Sequence, residues 1–352
     1  MHFDIYEHLA GLLDQLPNGF PRTESRVEIR LLKKIFSPEE ANVAVNLTGK
    51  MEPLDKIAER LNMEIKDTRT ILISMASKLM VLFDKIDGKM HFRLAPFIVG
   101  IYEGQLDYMD KELAELFEQY MNEGGAAGIM KPRPALQRVV PAMNTVKTEW
   151  IMSYDNVHKL LELAKVFGVR DCICRVQQDK LGKRRCDHTI KACVYFSDSE
   201  RPPRPEDITK AEAIAILDAA EKEGLVHSVS NVANGVFYFC NCCGCCCGIL
   251  RGITDYGIEK SVAAANYYAI IDQDKCTSCA LCLERCQINA ITDETGLFVV
   301  SRNKCIGCGL CVGGCPSEAV SLNLRPESEI IHPPEDFDEW ERKRAENRQG
   351  VK

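Results

Sequence analysis

The front of this chain has no cysteine, although the whole sequence carries 18 of them; none occurs before Cys172. Long apolar runs are missing too, and nothing approaches the roughly 20 residues needed to span a bilayer. No G-x-G-x-x-G follows a strand, and there is no G-x-x-x-x-G-K-[ST], no C-x-x-C-H and no G-x-S-x-G. Those absences exclude a dinucleotide fold, a P-loop, an attached haem and a nucleophile elbow. Any flavin or nicotinamide chemistry then belongs to a partner, so a subunit is expected rather than a stand-alone enzyme. The segment Met1–Glu7 lacks a basic stretch, an apolar core and a cleavage site, so the expected compartment is the reducing cytoplasm. There, cysteines are read as metal-bound thiolates, not disulfides. Basic residues are in deficit, 44 against 51 acidic, for a net charge of −7. That argues against bulk attraction to nucleic acid, although one domain can still be locally basic.

The cysteines divide the chain. Ten lie between Cys172 and Cys247 and eight between Cys276 and Cys315. The expected architecture is an α+β multi-domain protein. Residues 1–100 form a winged-helix-like domain, 101–149 a helix and linker, and 150–262 a cysteine-rich α-helical middle domain. Residues 263–325 form a domain built on a repeated cysteine run and 326–352 a charged tail. In the front part, Ser25–Phe36 has helical periodicity, and Ser37 followed by Pro38 is a helix start. Further helices are expected at Leu54–Leu61 and Asp67–Met80. Strands Val81–Phe83 and His91–Leu94 flank the turn pair Asp87-Gly88. Helices followed by a hairpin in this order look like a winged helix-turn-helix. One amphipathic helix is expected over Ile101–Met121, stopped by Gly124-Gly125, with Lys131–Pro134 as an extended linker. In the middle, helices are expected at Asn156–Phe167 and at Lys210–Glu223. The latter has a Thr209/Glu212 capping box and Gly224 past its end. The tail from Glu335 to Lys352 is expected to be a surface helix or disordered.

Near the C-terminus, Cys276, Cys279, Cys282 and Cys286 follow C-x₂-C-x₂-C-x₃-C, and Cys305, Cys308, Cys311 and Cys315 repeat it, with Pro316 after the last. Apolar strands Tyr268–Ile271 and Phe298–Val300 precede the two runs. Residues Tyr267–Leu324 thus resemble the bacterial dicluster [4Fe–4S] ferredoxins. The resemblance implies a pseudo-two-fold fold with two cubes. Cys276, Cys279, Cys282 and Cys315 would hold one, and Cys305, Cys308, Cys311 and Cys286 the other. Every iron would then be ligated by protein, which makes the cubes carriers of single electrons with no open site for substrate. Gln287 departs from the family pattern, standing where proline commonly follows the fourth cysteine.

The middle cysteines are Cys172, Cys174, Cys186, Cys193, Cys240, Cys242, Cys243, Cys245, Cys246 and Cys247. Six of them fall within eight positions, and neighbouring side chains cannot all face one metal. Some must therefore bind together with Cys172–Cys193. Arg175, Lys183, Arg184 and Arg185 would offset thiolate charge. Ten cysteines suit two further clusters, one cluster with a redox dithiol, or one unusual cluster; zinc and free thiols are the alternatives. Cys242-Cys243-Gly244 is similar to the CCG motif of heterodisulfide reductase-type subunits, which hold non-cubane clusters. The C-x-C-R and C-x-C-C-x-C-C-C runs also resemble the middle of multi-domain ferredoxin proteins of anaerobes. His188 is a further possible ligand, and His227 is read as structural.

The expected function is electron transfer at low potential to or from a partner oxidoreductase, such as a flavoprotein. Two alternatives stand beside it. One is a redox-sensing DNA-binding regulator, reading bases with Arg69, Thr70 and Lys78 and phosphates with Lys66, Lys85, Lys89 and Arg93. The other is a reductase with a catalytic non-cubane cluster.

Overall fold

The computed structural model describes residues 4–349. Met1–Phe3, part of the segment read for a targeting signal, and Gly350–Lys352 of the tail lie outside the described residues. The chain divides into two compact units. The first comprises Met1–Pro132, Val176–Gly182 and Arg344–Lys352; the second comprises Arg133–Arg175 and Lys183–Lys343.

The first unit begins with α1 (Ile5–Gln15), α2 (Val27–Ile35) and α3 (Pro38–Ala44). Ser37 accepts the Glu40 N–H while Glu40 reaches back to the Ser37 backbone, closing a capping box. Strand β1 (Glu52–Pro53) leads into α4 (Leu54–Leu61) and α5 (Ile65–Ser77). The hairpin of β2 (Val81–Ile86) and β3 (Lys89–Leu94) follows, and the three strands pair in the order β1-β3-β2. Asp87 and Gly88 both take positive φ, 50° and 75°, the left-handed turn that matches the twist of paired strands.

The single helix expected over Ile101–Met121 is replaced by a 3-10 turn at Glu103–Tyr108 and a separate α6 (Lys111–Tyr120). The cause is local. Asp110 accepts the Leu113 N–H at 2.8 Å, and a good N-cap inside an amphipathic stretch starts a new helix there. Gly124, at φ 117°, turns the chain before α7 (Ala126–Met130). The tail also departs from expectation, since Arg344 is completely buried. It donates to the carbonyls of Pro17 at 2.9 Å and Pro132 at 2.7 Å, and to that of Ile129 near the end of α7. A cation at a helix C-terminus meets carbonyls that lack other partners.

The second unit corrects the expected α-helical middle. Its centre is a six-stranded antiparallel sheet. In chain order its elements are β4 (Gln137–Val140), α8 (Val157–Leu160), β5 (Val166–Asp171), α9 (Ile173–Lys180), β6 (Lys191–Ser197), β7 (Asp207–Ile208), α10 (Lys210–Glu223), β8 (Val226–Ser230) and β9 (Tyr238–Cys242). The strand order is β4-β8-β9-β6-β5-β7. Asn156 does cap a helix, accepting the Lys159 N–H at 3.2 Å, but α8 ends after one turn and Phe167 and Gly168 lie in a strand. The reason is period: Ala192, Val194 and Phe196 are buried on β6 while their neighbours are less so, which is alternation by two. Helix α10 keeps the Thr209/Glu212 capping box and ends at Gly224, φ 85°. Its Ala213 and Leu217 pack with Phe167, Val194, Phe196, Val229 and Phe239 on one sheet face. Each large apolar side chain buried there contributes about 1.5–3 kcal/mol.

After α11 (Arg251–Thr254), the C-terminal part is built twice over. Strand β10 (Tyr267–Ile271) pairs with β13 (Val320–Leu324), and β11 (Ile291–Glu294) pairs with β12 (Leu297–Val300). Each cysteine run enters a one-turn helix, α12 (Leu281–Glu284) or α13 (Leu310–Gly313). The repeat extends to the backbone: Ser278 and Gly307, Ala280 and Gly309, and Asn289 and Glu318 occupy matching positions, all with positive φ. The last helix, α14 (Phe337–Gln349), contributes Trp340 to this unit. Trp340 is 5% exposed, with its indole N–H donated to the Ala135 carbonyl at 2.9 Å. Trp340→Ala should lower stability by about 3–5 kcal/mol, read as an earlier denaturant midpoint; an unchanged midpoint would restore the picture of a loose tail.

Candidate metal centres

In the second ferredoxin-type run, a small, partly open cavity is lined by Cys286, Cys305, Cys308 and Cys311. Its other walls include Ile288, Ile291, Val300, Ile306 and Leu322. Cys286 comes from the first cysteine run and the other three from the second, so the fold brings the two runs together here. Burial pushes the Cys308 thiol up to about 12 and raises Cys286 and Cys311 as well. A thiol so placed holds its proton until a metal displaces it. Backbone N–H groups already point at the sulfurs, Ala290 to Cys286 at 3.1 Å and Ala269 to Cys305 at 3.5 Å. Four thiols around an aliphatic cavity, with amide donors on the sulfurs, fit an iron–sulfur cube.

The other four thiols of this domain are less evenly covered. Cys282 is buried, Cys276 and Cys315 are half-buried and Cys279 is exposed. Burial raises Cys282, with the thiols of Cys276 and Cys279 acting in the same direction. At Cys315 burial is outweighed by hydrogen bonds from Ser317 and from the Ala319 and Val320 backbone, so its thiol is lowered. The Ala319 N–H donates to it at 3.3 Å.

The middle cysteines gather as two sets. Cys186, Cys243, Cys245 and Cys246 have sulfurs all within 4.8 Å of one another, the one such ligand group found among the described residues. Cys186 stands 3.9 Å from Cys243 and 3.8 Å from Cys246, and Cys245 stands 3.6 Å from Cys246. Four sulfurs at about 2.3 Å from one tetrahedral ion are spaced about 3.8 Å apart. These thiols therefore form a cage sized for a single metal ion, narrower than the ferredoxin set.

The other six act on one another's acidity in neighbouring pairs: Cys172 with Cys174 and Cys193, Cys240 with Cys193 and Cys242, and Cys247 with Cys242 and Cys174. Sheet register places them. Val194 opposes Phe239 in the antiparallel pairing of β6 with β9. The next residues outward, Cys193 and Cys240, then share the face opposite the α10 core, as does Cys242 two positions on. Cys172 follows the end of β5, anchored by its N–H to the Ile190 carbonyl at 2.8 Å, and Cys174 opens α9. Because successive side chains in a strand point opposite ways, the neighbours Cys242 and Cys243 go to different sets.

Among the basic residues proposed to balance this charge, Arg175 is completely buried. Arg185 donates to the Cys245 carbonyl at 3.4 Å. Arg184 turns to the His188 carbonyl, and the His188 ring lies 3.7 Å from Glu223, outside the thiol cage. His227 is buried between Asn241 at 2.5 Å and Glu221 at 2.9 Å.

Sequence reasoning missed one connection. The Gln287 side chain accepts the Gly244 N–H at 2.8 Å, in the loop between cage thiols Cys243 and Cys245. The signal was present as the residue that departs from the usual proline, but its partner is 43 positions away. Arg285, just ahead of Cys286, donates to Glu221 and Lys222 at the end of α10 and to Leu310, at 2.6, 3.0 and 2.8 Å.

Comparison with known proteins agrees with the geometry of the C-terminal repeat: residues 269–322 match the family of 4Fe-4S dicluster domains. No curated protein and no solved structure matched the chain. The C-terminal part is therefore ferredoxin-like, and this domain together with the cysteine cage points to iron–sulfur electron transfer. No helix among the described residues is long and apolar enough to cross a membrane.

Proposed function

We propose that this protein is an iron–sulfur electron-transfer protein or subunit that passes low-potential electrons to or from a partner oxidoreductase, such as a flavoprotein, in a reducing compartment. Cys276, Cys279, Cys282 and Cys315 hold one cube, and Cys286, Cys305, Cys308 and Cys311 the other. Each cube, when bound, takes and gives up one electron. The protein's own part is to bury the thiols, aim amide hydrogens at them and keep water from the aliphatic cavity. In this reading the cage at Cys186 carries an iron ion and extends the path; a zinc ion there would be redox-silent.

The observation that carries this reading is the Gln287–Gly244 bond. It leaves one residue after Cys286 and ends between two cage thiols, so one hydrogen bond joins the second cube to the middle. In this proposal the winged-helix-like domain, residues 1–100, is a docking module. Ile65 and Ile73 on α5 and Phe83 and Ile86 on β2 are exposed. Lys78, one of the expected base readers, is tied to Glu40 at 2.7 Å. Exposed apolar side chains beside a neutralised lysine suit a protein better than a phosphate backbone.

Anaerobically purified protein should contain at least about eight irons per chain and show interacting paramagnetic signals on reduction. A colourless, iron-free preparation overturns the reading, and a tight, specific gel shift with genomic DNA would favour the regulator. Gln287→Ala should keep all the iron yet slow electron sharing between the middle and the ferredoxin domain several-fold in rapid-mixing reduction. Unaltered rates would show that the bond is not the path.

A further inference from the structure

The six thiols outside the cage are too many for one ion, and every one of them is buried or half-buried. We propose that Cys172, Cys174, Cys193, Cys240, Cys242 and Cys247 form a separate, polynuclear metal site that holds at least two iron ions bridged by sulfur, distinct from the cage at Cys186. This rests on reading the middle cysteines as metal ligands; it adds that they serve two centres.

Three observations carry it. First, the fold gathers them: Cys193 faces Cys240 across β6 and β9 with Cys242 on the same face, the Asn241 carbonyl between those two accepts a hydrogen bond from Arg175 beside Cys174, and the Cys172 N–H reaches the Ile190 carbonyl. One tetrahedral ion takes four thiolates, so six converging on one space call for more than one metal. Second, the set is drawn from β6, β9, the junction of β5 with α9, the start of α9 and the loop after β9, with second-row donors in place. The Ser228 hydroxyl lies 3.4 Å from the Cys242 sulfur, and the Gln137 amide donates to Cys240 at 3.7 Å. Such partners orient ligands and tune the bound centre.

Third, Arg175 is completely buried and makes no close ion pair with a carboxylate among the described residues, although Glu223 feels its charge. It donates to the Thr189 carbonyl at 3.0 Å and the Asn241 carbonyl at 2.9 Å, and its Nε has no partner. The groups that act on its charge include Cys172, Cys193 and Cys242 of the set and Cys243 of the cage. An arginine keeps its proton even when buried, so its counter-charge must come from its surroundings.

The test is a metal and sulfide count on the full chain, expressed and purified without air. With about eight irons in the ferredoxin domain, about one in the cage and at least two in the six-thiol set, the total is at least about eleven metal ions per chain. The double variant Cys193→Ser/Cys240→Ser should lose two or more ions and their sulfide while keeping the ferredoxin irons and the cage ion. The double variant Cys186→Ser/Cys245→Ser should lose only the cage ion. A wild-type total at or below about nine overturns the six-thiol site even if its variant fails to fold. Loss of the same metal from both variants also overturns it, by showing one shared centre. Absence of the ferredoxin irons in the wild type would instead refute the proposed function, so the two failures are distinguishable.

Discussion

Cys308→Ser is expected to remove about four irons per chain and leave about four in the ferredoxin domain. The surviving cube would then give an isolated paramagnetic signal on reduction, where the native protein gives an interacting pair. The reason is the cavity. Cys308 faces a space walled by three other thiols and by aliphatic side chains, and burial already makes its thiol reluctant to ionise. A serine oxygen is a poorer partner for iron than a thiolate, and a buried hydroxyl left without a partner costs about 1–3 kcal/mol. Because Cys286 reaches into this cavity from the first run, Cys286→Ser should empty the same cube. Iron analysis and paramagnetic resonance of the two variants check both halves. Equal iron in variant and wild type, or loss of all iron, would refute the crossed ligand sets.

Gly244→Ala is expected to empty the cage while sparing the ferredoxin irons. A methyl group at Gly244 would lie 1.9 Å from the Gln287 carbonyl oxygen, a backbone atom with nowhere to go. The loop carrying Cys243, Cys245 and Cys246 must then move, and sulfurs spaced 3.6–3.9 Å apart lose the register of a tetrahedron. Overpacking of this kind costs about 1–3 kcal/mol, and loss of the bound ion adds to it. Metal content by mass spectrometry and a denaturant midpoint read the two effects separately. A variant with its full complement of metal would show that the loop yields without harm.

The parts of this molecule that were legible in the sequence are those whose signals are local. The two cysteine runs, the Ser37 and Thr209 capping boxes and the Asp87-Gly88 turn all lie within a few residues of what they specify. The middle sheet was not legible as a sheet. Val157, Leu160 and Leu161 sit at helical spacing for just one turn, and the strands around them are short or interrupted by cysteine, which fits either period. The division of the ten middle cysteines was hidden for a deeper reason. It depends on β6 pairing with β9 so that Cys193 meets Cys240, and on the switch of direction between Cys242 and Cys243. Register across a sheet is not written in either strand alone. The break at Asp110 was readable in principle, since an aspartate two places ahead of Glu112 is a helix start, but the continuous amphipathic pattern masked it. Arg344 and Trp340 give no periodic signal in a tail that is mostly charged.

The unequal cover over the two ferredoxin repeats has a practical side. Cys279 is exposed, while its counterpart Cys308 lines a cavity. The proposed first cube thus stands at a doorway, close enough to the surface for a visiting redox protein to trade electrons with it. The same doorway admits dissolved oxygen, so injury by air should begin at that cube, with its twin sheltered for longer.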